Sequence, residues 1–105
     1  MKFILAIMTA GLLGLATQTV IAADGAALTQ KAGCTACHGV DKKILGPAFK
    51  DIAAKYKGQK EAEDMLVKKV KAGGSGVWGP MPMPPNAGKL SDDEFKGAVA
   101  WILSL

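Results

Sequence analysis

An all-helical domain is what this sequence predicts, and three observations lead there. Apolar residues recur at three- and four-residue spacing in the segments 48–56 and 91–105, as one buried helix face requires. Ser91-Asp92-Asp93-Glu94 reads as a capping box that opens the second of these segments. Four of the five prolines fall within residues 80–85, which leaves the rest of the chain almost free of helix breakers.

The elements follow in order. Met1-Lys2 is a short positive start, Phe3 to Ala16 an apolar run, and Thr17-Gln18-Thr19 a polar break before Val20-Ile21-Ala22. That succession is the pattern of a secretory signal peptide, residues 1–22, cut after Ala22 or Ala23. The competing reading is a retained membrane anchor, because no charge stands between Lys2 and Asp24. A spanning helix wants about 20 predominantly apolar residues, and the strongly apolar stretch here is shorter. Residues 23–105 are then one small domain. Domains of this size bury only about 60% of their unfolded surface and commonly depend on a staple, a metal or a cofactor.

Within that domain, Asp24 is placed to cap a short helix over 26–33. A loop over 39–46 closes at Gly46-Pro47, with the proline suited to a helix start. The helix over 48–56 aligns Phe49, Ile52, Ala53 and Tyr56 on one stripe and stops at Gly58. A helix over 61–72 carries acids in its first turn and lysines in its last, matching the helix dipole, with Met65, Leu66 and Val70 toward the core. The last helix turns Phe95, Ala98, Val99 and Ile102 inward, and Trp101 and Leu105 widen that face. Between the last two helices, residues 73–86 read as neither helix nor ordinary strand, with 80–85 stiff and extended.

Charge narrows the class of partner. Every one of the 13 basic residues is a lysine, against 9 acids, and the lysines are dispersed. Nucleic-acid binding calls for a denser basic stripe with arginine in it. The dispersed lysines fit a solvated surface, a few of them able to steer an acidic partner.

The chemistry is concentrated in Cys34-Thr35-Ala36-Cys37-His38, which uses both cysteines and the only histidine of the chain. C-x-x-C-H is the attachment spacing of a c-type haem. On one turn of helix, residues i and i+3 share a face, so both thiols can add to neighbouring vinyl groups while the next residue offers its imidazole to the iron. Other readings of the cysteines are weaker. A thioredoxin-like pair needs βαβ alternation, a zinc site needs about four N or S ligands, and a disulfide across so short a loop would stabilise little. Two methionines, Met81 and Met83, sit in the proline-rich run. With no second histidine in the chain, a thioether is the better candidate for the opposite axial position, where it would stabilise ferrous iron. Met83, flanked by Pro82 and by Pro84-Pro85, has the smaller ordering cost of the two.

The motifs Cys34-Thr35-Ala36-Cys37-His38, Gly46-Pro47-Ala48, Val77-Trp78-Gly79-Pro80 and Met83-Pro84-Pro85-Asn86 together resemble the small bacterial class I cytochromes c of the c-551/c-552 type. The similarity runs through nearly all of residues 23–105. It implies the small class I fold, four to five helices around one covalently attached haem c whose iron cycles between Fe(III) and Fe(II). By the same resemblance Met83 is the second axial ligand beside His38, and the Pro47 carbonyl accepts from the imidazole. Trp78 and Lys69 fall where the family places donors to a haem propionate. Relatives often carry arginine at the latter position, and lysine makes a less geometrically fixed contact.

The function implied is a monomeric periplasmic electron carrier and not an enzyme. It would shuttle single electrons from respiratory donors to a terminal reductase or oxidase, such as nitrite reductase or cytochrome c peroxidase. Docking would be transient, at a haem edge formed by Ala36, Met81 and Pro82 with Lys42 and Lys43 as rim, and without stable membrane contact after signal cleavage. Alternatives are a haem sensor or enzyme with a labile sixth ligand, and a membrane-tethered cytochrome subunit.

Overall fold

The computed structural model describes residues 20–105; the signal-peptide reading therefore falls almost wholly outside the described residues. Four α-helices carry the domain: α1 (Val20–Lys31), α2 (Phe49–Tyr56), α3 (Ala62–Ala72) and α4 (Asp92–Leu103). A 3-10 turn, Cys34–Ala36, follows α1, and two short strands, β1 (Gly74–Gly76) and β2 (Gly79–Met83), separate α3 from α4. No helix among the described residues is long and apolar enough to cross a membrane.

α1 and α4 cross so closely that side chains must be removed at the contact. A Cβ on Gly25 would lie 2.0 Å from Trp101 Cβ, and one on Gly97 would lie 3.2 Å from Leu28 Cδ1. Glycine on both helices lets the backbones approach, and the buried cluster of Ala32, Val67, Leu90, Phe95, Ala98 and Val99 packs beneath the crossing. Phe95, Ala98, Val99 and Ile102 are all buried, as the 3.6-residue stripe predicts.

Three local expectations need correction. Asp24 does not cap a helix: α1 already runs through it, and Asp24 is exposed on its surface, because nothing in residues 20–23 breaks a helix. Met65 is exposed; α3 buries Ala62 and Val67 and packs Leu66 and Val70 against the core, which turns position 65 to solvent. Leu105 lies past the end of α4 and is exposed. The segment over 73–86 is also more regular than the sequence suggests. β1 and β2 pair antiparallel, with Gly74 opposite Met83 and Gly76 opposite Gly79. Prolines tolerate this because each strand has a single neighbour, so a missing N–H on the free edge breaks no ladder bond.

The start of α4 is bound to two other helices. The capping box is complete: Ser91 Oγ accepts from Glu94 N at 3.2 Å, and Ser91 N donates to the Glu94 carboxylate at 3.0 Å. Lys31 of α1 reaches Glu94 at 2.9 Å, and Lys71 of α3 pairs with Asp92. The Lys71 ammonium and its charge hold the Asp92 carboxyl below its ordinary value near 3.8. The Ser91 backbone bond, then Lys31, does the same for Glu94 below 4.5. Both carboxyls are therefore more acidic folded than unfolded. Their contribution to stability is present above the ordinary values and is lost as pH falls through the lowered ones. Ser91→Ala is expected to cost about 1 kcal/mol at neutral pH. The backbone N–H of residue 91 still donates to the Glu94 carboxylate in that variant, so the loss of stability as pH falls through the lowered carboxyl values should be nearly unchanged in slope. Urea unfolding at a series of pH values measures both quantities.

Candidate haem site

The motif is shaped by hydrogen bonds within it. Cys37 N and His38 N both donate to Cys34 O, at 3.1 and 3.0 Å, so the backbone coils around the first cysteine. Gly33, at φ 77°, reverses the chain from α1 into this turn, a conformation that suits glycine. Both thiols are free and half-buried. Burial pushes the Cys34 thiol up from its ordinary value, so it rests protonated, while its backbone hydrogen bond and Lys89 pull weakly the other way.

The imidazole of His38 is fixed from several directions. Leu45 N and Gly46 N donate to Cys37 O at 3.1 and 2.8 Å, folding the 39–46 loop back onto the motif. Phe49 N then donates to Gly39 O at 2.8 Å, which joins the loop to the start of α2. Pro47 is left just ahead of that helix, its carbonyl 2.6 Å from His38 Nδ1. A donor at Nδ1 leaves Nε2 as the ring's lone-pair nitrogen. Phe49, fully buried, stacks on the imidazole with ring centroids 5.4 Å apart and meets Trp101 edge-on at 5.8 Å. The ring is thus tied through Phe49 to α4.

Gly46 closes the other side. A Cβ there would lie 2.6 Å from His38 Cε1 and 3.0 Å from Nδ1. Gly46→Ala is therefore expected to displace the imidazole and weaken its bond to Pro47. The cost is of the order of 1–3 kcal/mol, as for overpacking elsewhere. Denaturant unfolding gives the energy, and the His38 ring resonances report the displacement.

Met83 is held by contacts that the sequence did not announce. Gly73, the residue after α3, has φ 70°, and a Cβ on it would lie 2.4 Å from Met83 O and 2.8 Å from Pro84 C and Pro85 N. The methionine's own backbone therefore lies against a glycine. Asn86, buried to 6% exposure, anchors the next turn. Its side-chain amide donates to Val70 O and Pro84 O at 3.2 and 3.0 Å, and its backbone N–H to Val70 O at 3.1 Å. These bonds satisfy carbonyls that α3 leaves unpaired at its C-terminus. Asparagine and glycine ten or more residues apart carry no local signal of this meeting. Met83 is half-buried, whereas Met81 on the same strand is 60% exposed.

The two residues named for propionate contact are not placed alike. Lys69 turns its ammonium toward β1, where a Cβ on Gly74 would lie 2.7 Å from it. Trp78, in the turn between the strands, has the ammonium of Lys55 5.5 Å from its ring centroid.

Residues 22–105 match the family model Cytochrome c. The chain is 50% identical over 95 residues to cytochrome c-551 of Pseudomonas aeruginosa, covering 86% of this chain and 89% of that protein. It is 58% identical over 78 residues to cytochrome c-551 of Allochromatium vinosum, covering 74% and 82%. The crystal structure of wild-type Nitrosomonas europaea cytochrome c552 superimposes with a TM-score of 0.72 at 51% identity, covering 76% of this chain and 98% of that one. The chain belongs to the cytochrome c family and has the class I fold. Its relatives within that family are cytochromes c-551 and c-552, small monohaem electron carriers with one covalent haem c. The donor set fits such a group: two half-buried thiols on one turn, an imidazole whose Nδ1 is already engaged, and thioethers on a braced strand.

Proposed function

We propose that the mature protein, residues 23–105, is a periplasmic carrier whose single haem is held by Cys34, Cys37, His38 and Met83, moving electrons between respiratory donors and a terminal reductase or oxidase. The observation that carries this reading is the fixed imidazole: Pro47 at Nδ1, Phe49 on its face and Gly46 at its edge leave the ring little freedom. A haem supplies reversible one-electron chemistry, and the surrounding protein lowers the cost of each transfer by moving little. His38, oriented by Pro47, would offer its Nε2 to the iron. Met83, braced by Gly73 and Asn86, would supply a thioether to the iron. The Trp78 indole N–H and the Lys69 ammonium are the candidate donors to a propionate.

Were His38 and Met83 both to hold the iron, a small ligand would have to displace one of them, which favours electron transfer over an open-site sensor or enzyme. Spectroelectrochemistry of the purified protein tests the assignment. The expected result is one reversible one-electron wave with the weak near-infrared band of Met-ligated ferric haem. Absence of that band, with ready binding of imidazole or cyanide by the unaltered protein, would favour the open-site reading.

Docking is assigned to the surface around Ala36, Met81 and Pro82, all exposed, with Lys42 and Lys43 as rim. The two lysines line a shallow hollow of about 390 Å³ with Gly39, Val40, Asp41 and Ile44. Rim charges mainly set the association rate and its salt dependence. Lys42→Glu with Lys43→Glu should slow electron transfer to an acidic redox partner at low ionic strength and lose that effect at high salt. Stopped-flow kinetics measures this, and rates unchanged at low salt would remove these lysines from the interface.

A further inference from the structure

Lys55 stands out among the lysines by its surroundings. It lies in the last turn of α2, exposed, with its ammonium 5.5 Å from the Trp78 ring centroid and 5.9 Å from that of Tyr56. The lysine–carboxylate pairs among the described residues are Lys31–Glu94, Lys50–Asp41 and Lys71–Asp92, so this ammonium has aromatic faces as company and no carboxylate. The hydrogen bonds of the described residues likewise give the Trp78 indole N–H no acceptor.

A cation and a donor without partners, one on the face of the other's ring, are a pairing suited to an anion. Indole is a donor only, and an ammonium over its face is attracted by the ring quadrupole and polarises the N–H outward. Lys69 offers less at this place, because its ammonium lies beside Gly74, in the space a Cβ there would take. We propose that Lys55, rather than Lys69, is the cation that positions Trp78 at the carboxylate edge of the haem and supplies the positive potential there. The proposal rests on the reading of Trp78 as a propionate donor. Lys55 acts through Trp78 and is a positioning residue. Its charge also opposes the more positive ferric state, so it raises the reduction potential.

The test uses holo protein with Lys55→Gln, Lys55→Arg, Lys69→Gln and Trp78→Phe. Two quantities are read: the reduction potential, and the indole N–H resonance of Trp78 in the diamagnetic ferrous state, with Trp101 as internal reference. Lys55→Gln is expected to move the Trp78 resonance but not that of Trp101. It should also raise the ferric-to-ferrous ratio several-fold when poised at the unaltered protein's midpoint. Lys55→Arg should restore both, and Lys69→Gln should have the smaller effect. A Trp78 resonance unmoved in Lys55→Gln, or a larger potential shift in Lys69→Gln, overturns the proposal. Trp78→Phe tests the underlying reading by itself. An unchanged potential there refutes Trp78 as a propionate donor, even where Lys55→Gln has shown the Lys55 contact to be real.

Discussion

Cys37→Ala should yield almost no folded, haem-bearing protein. Among the described residues the polypeptide's own core is thin: of eleven buried hydrophobic residues five are alanines, and Phe49 and Phe95 are the large apolar side chains that are fully buried. A domain this small gains little margin from such a core. A covalently held haem adds a large apolar body and iron–ligand bonds that exist only in the folded chain, so its binding energy is folding energy. The Cys37 carbonyl accepts from both Leu45 N and Gly46 N, bonds that alanine would keep, so the variant removes only the thiol at the base of the 39–46 loop. Losing the thioether there should cost both the tether and the registration of His38. Far-UV circular dichroism and haem absorbance of the exported protein check this. A Cys37→Ala protein recovered with normal helicity and no haem would refute it.

The second large effect separates the methionines. Met83→Ala should lower the reduction potential, abolish the near-infrared band and admit imidazole or cyanide, because a neutral soft ligand that favours ferrous iron has been removed. Met81→Ala should do none of these. The distinction follows from bracing. Met83 lies with its carbonyl against Gly73 and is followed by two prolines and the anchored Asn86, so its thioether is held at fixed reach. Met81 has the same strand direction but is largely exposed. Met81 replacing Met83 in either assay would reverse the assignment.

Much of this molecule was legible in the residues because its signals are local. The α4 stripe and its capping box depend on spacing within a few turns, and Phe95, Ala98, Val99 and Ile102 are buried as that spacing requires. The haem motif is contiguous and needs no tertiary knowledge to be read. What the sequence concealed depends on contact between distant segments. The roles of Gly73 and Asn86 arise only when the end of α3 meets the Met83 strand. Gly46 is legible as a turn residue, but its need to clear the His38 ring is not. The hairpin escaped notice because its prolines argue against strands, while Gly74, Gly76 and Gly79, at φ 135°, 110° and 112°, supply backbone that other residues rarely adopt. Met65 was misplaced because α3 is polar enough that its buried face could be drawn a residue too early.

The glycine-lined crossing of α1 and α4 joins the first and last helices of the described chain. That has a kinetic side. Contacts around the motif close over a dozen residues or fewer, as with His38 to Pro47 and Phe49 to Gly39, and can form early. Docking Gly25 against Trp101 closes a loop spanning nearly the whole domain, and loop-closure entropy must be met before that contact contributes. Topology of this kind adds a long-range closure step to assembly. The imidazole is coupled to that step through Phe49 and Trp101, so the ring attains its final rigidity only when the two ends of the chain have found each other.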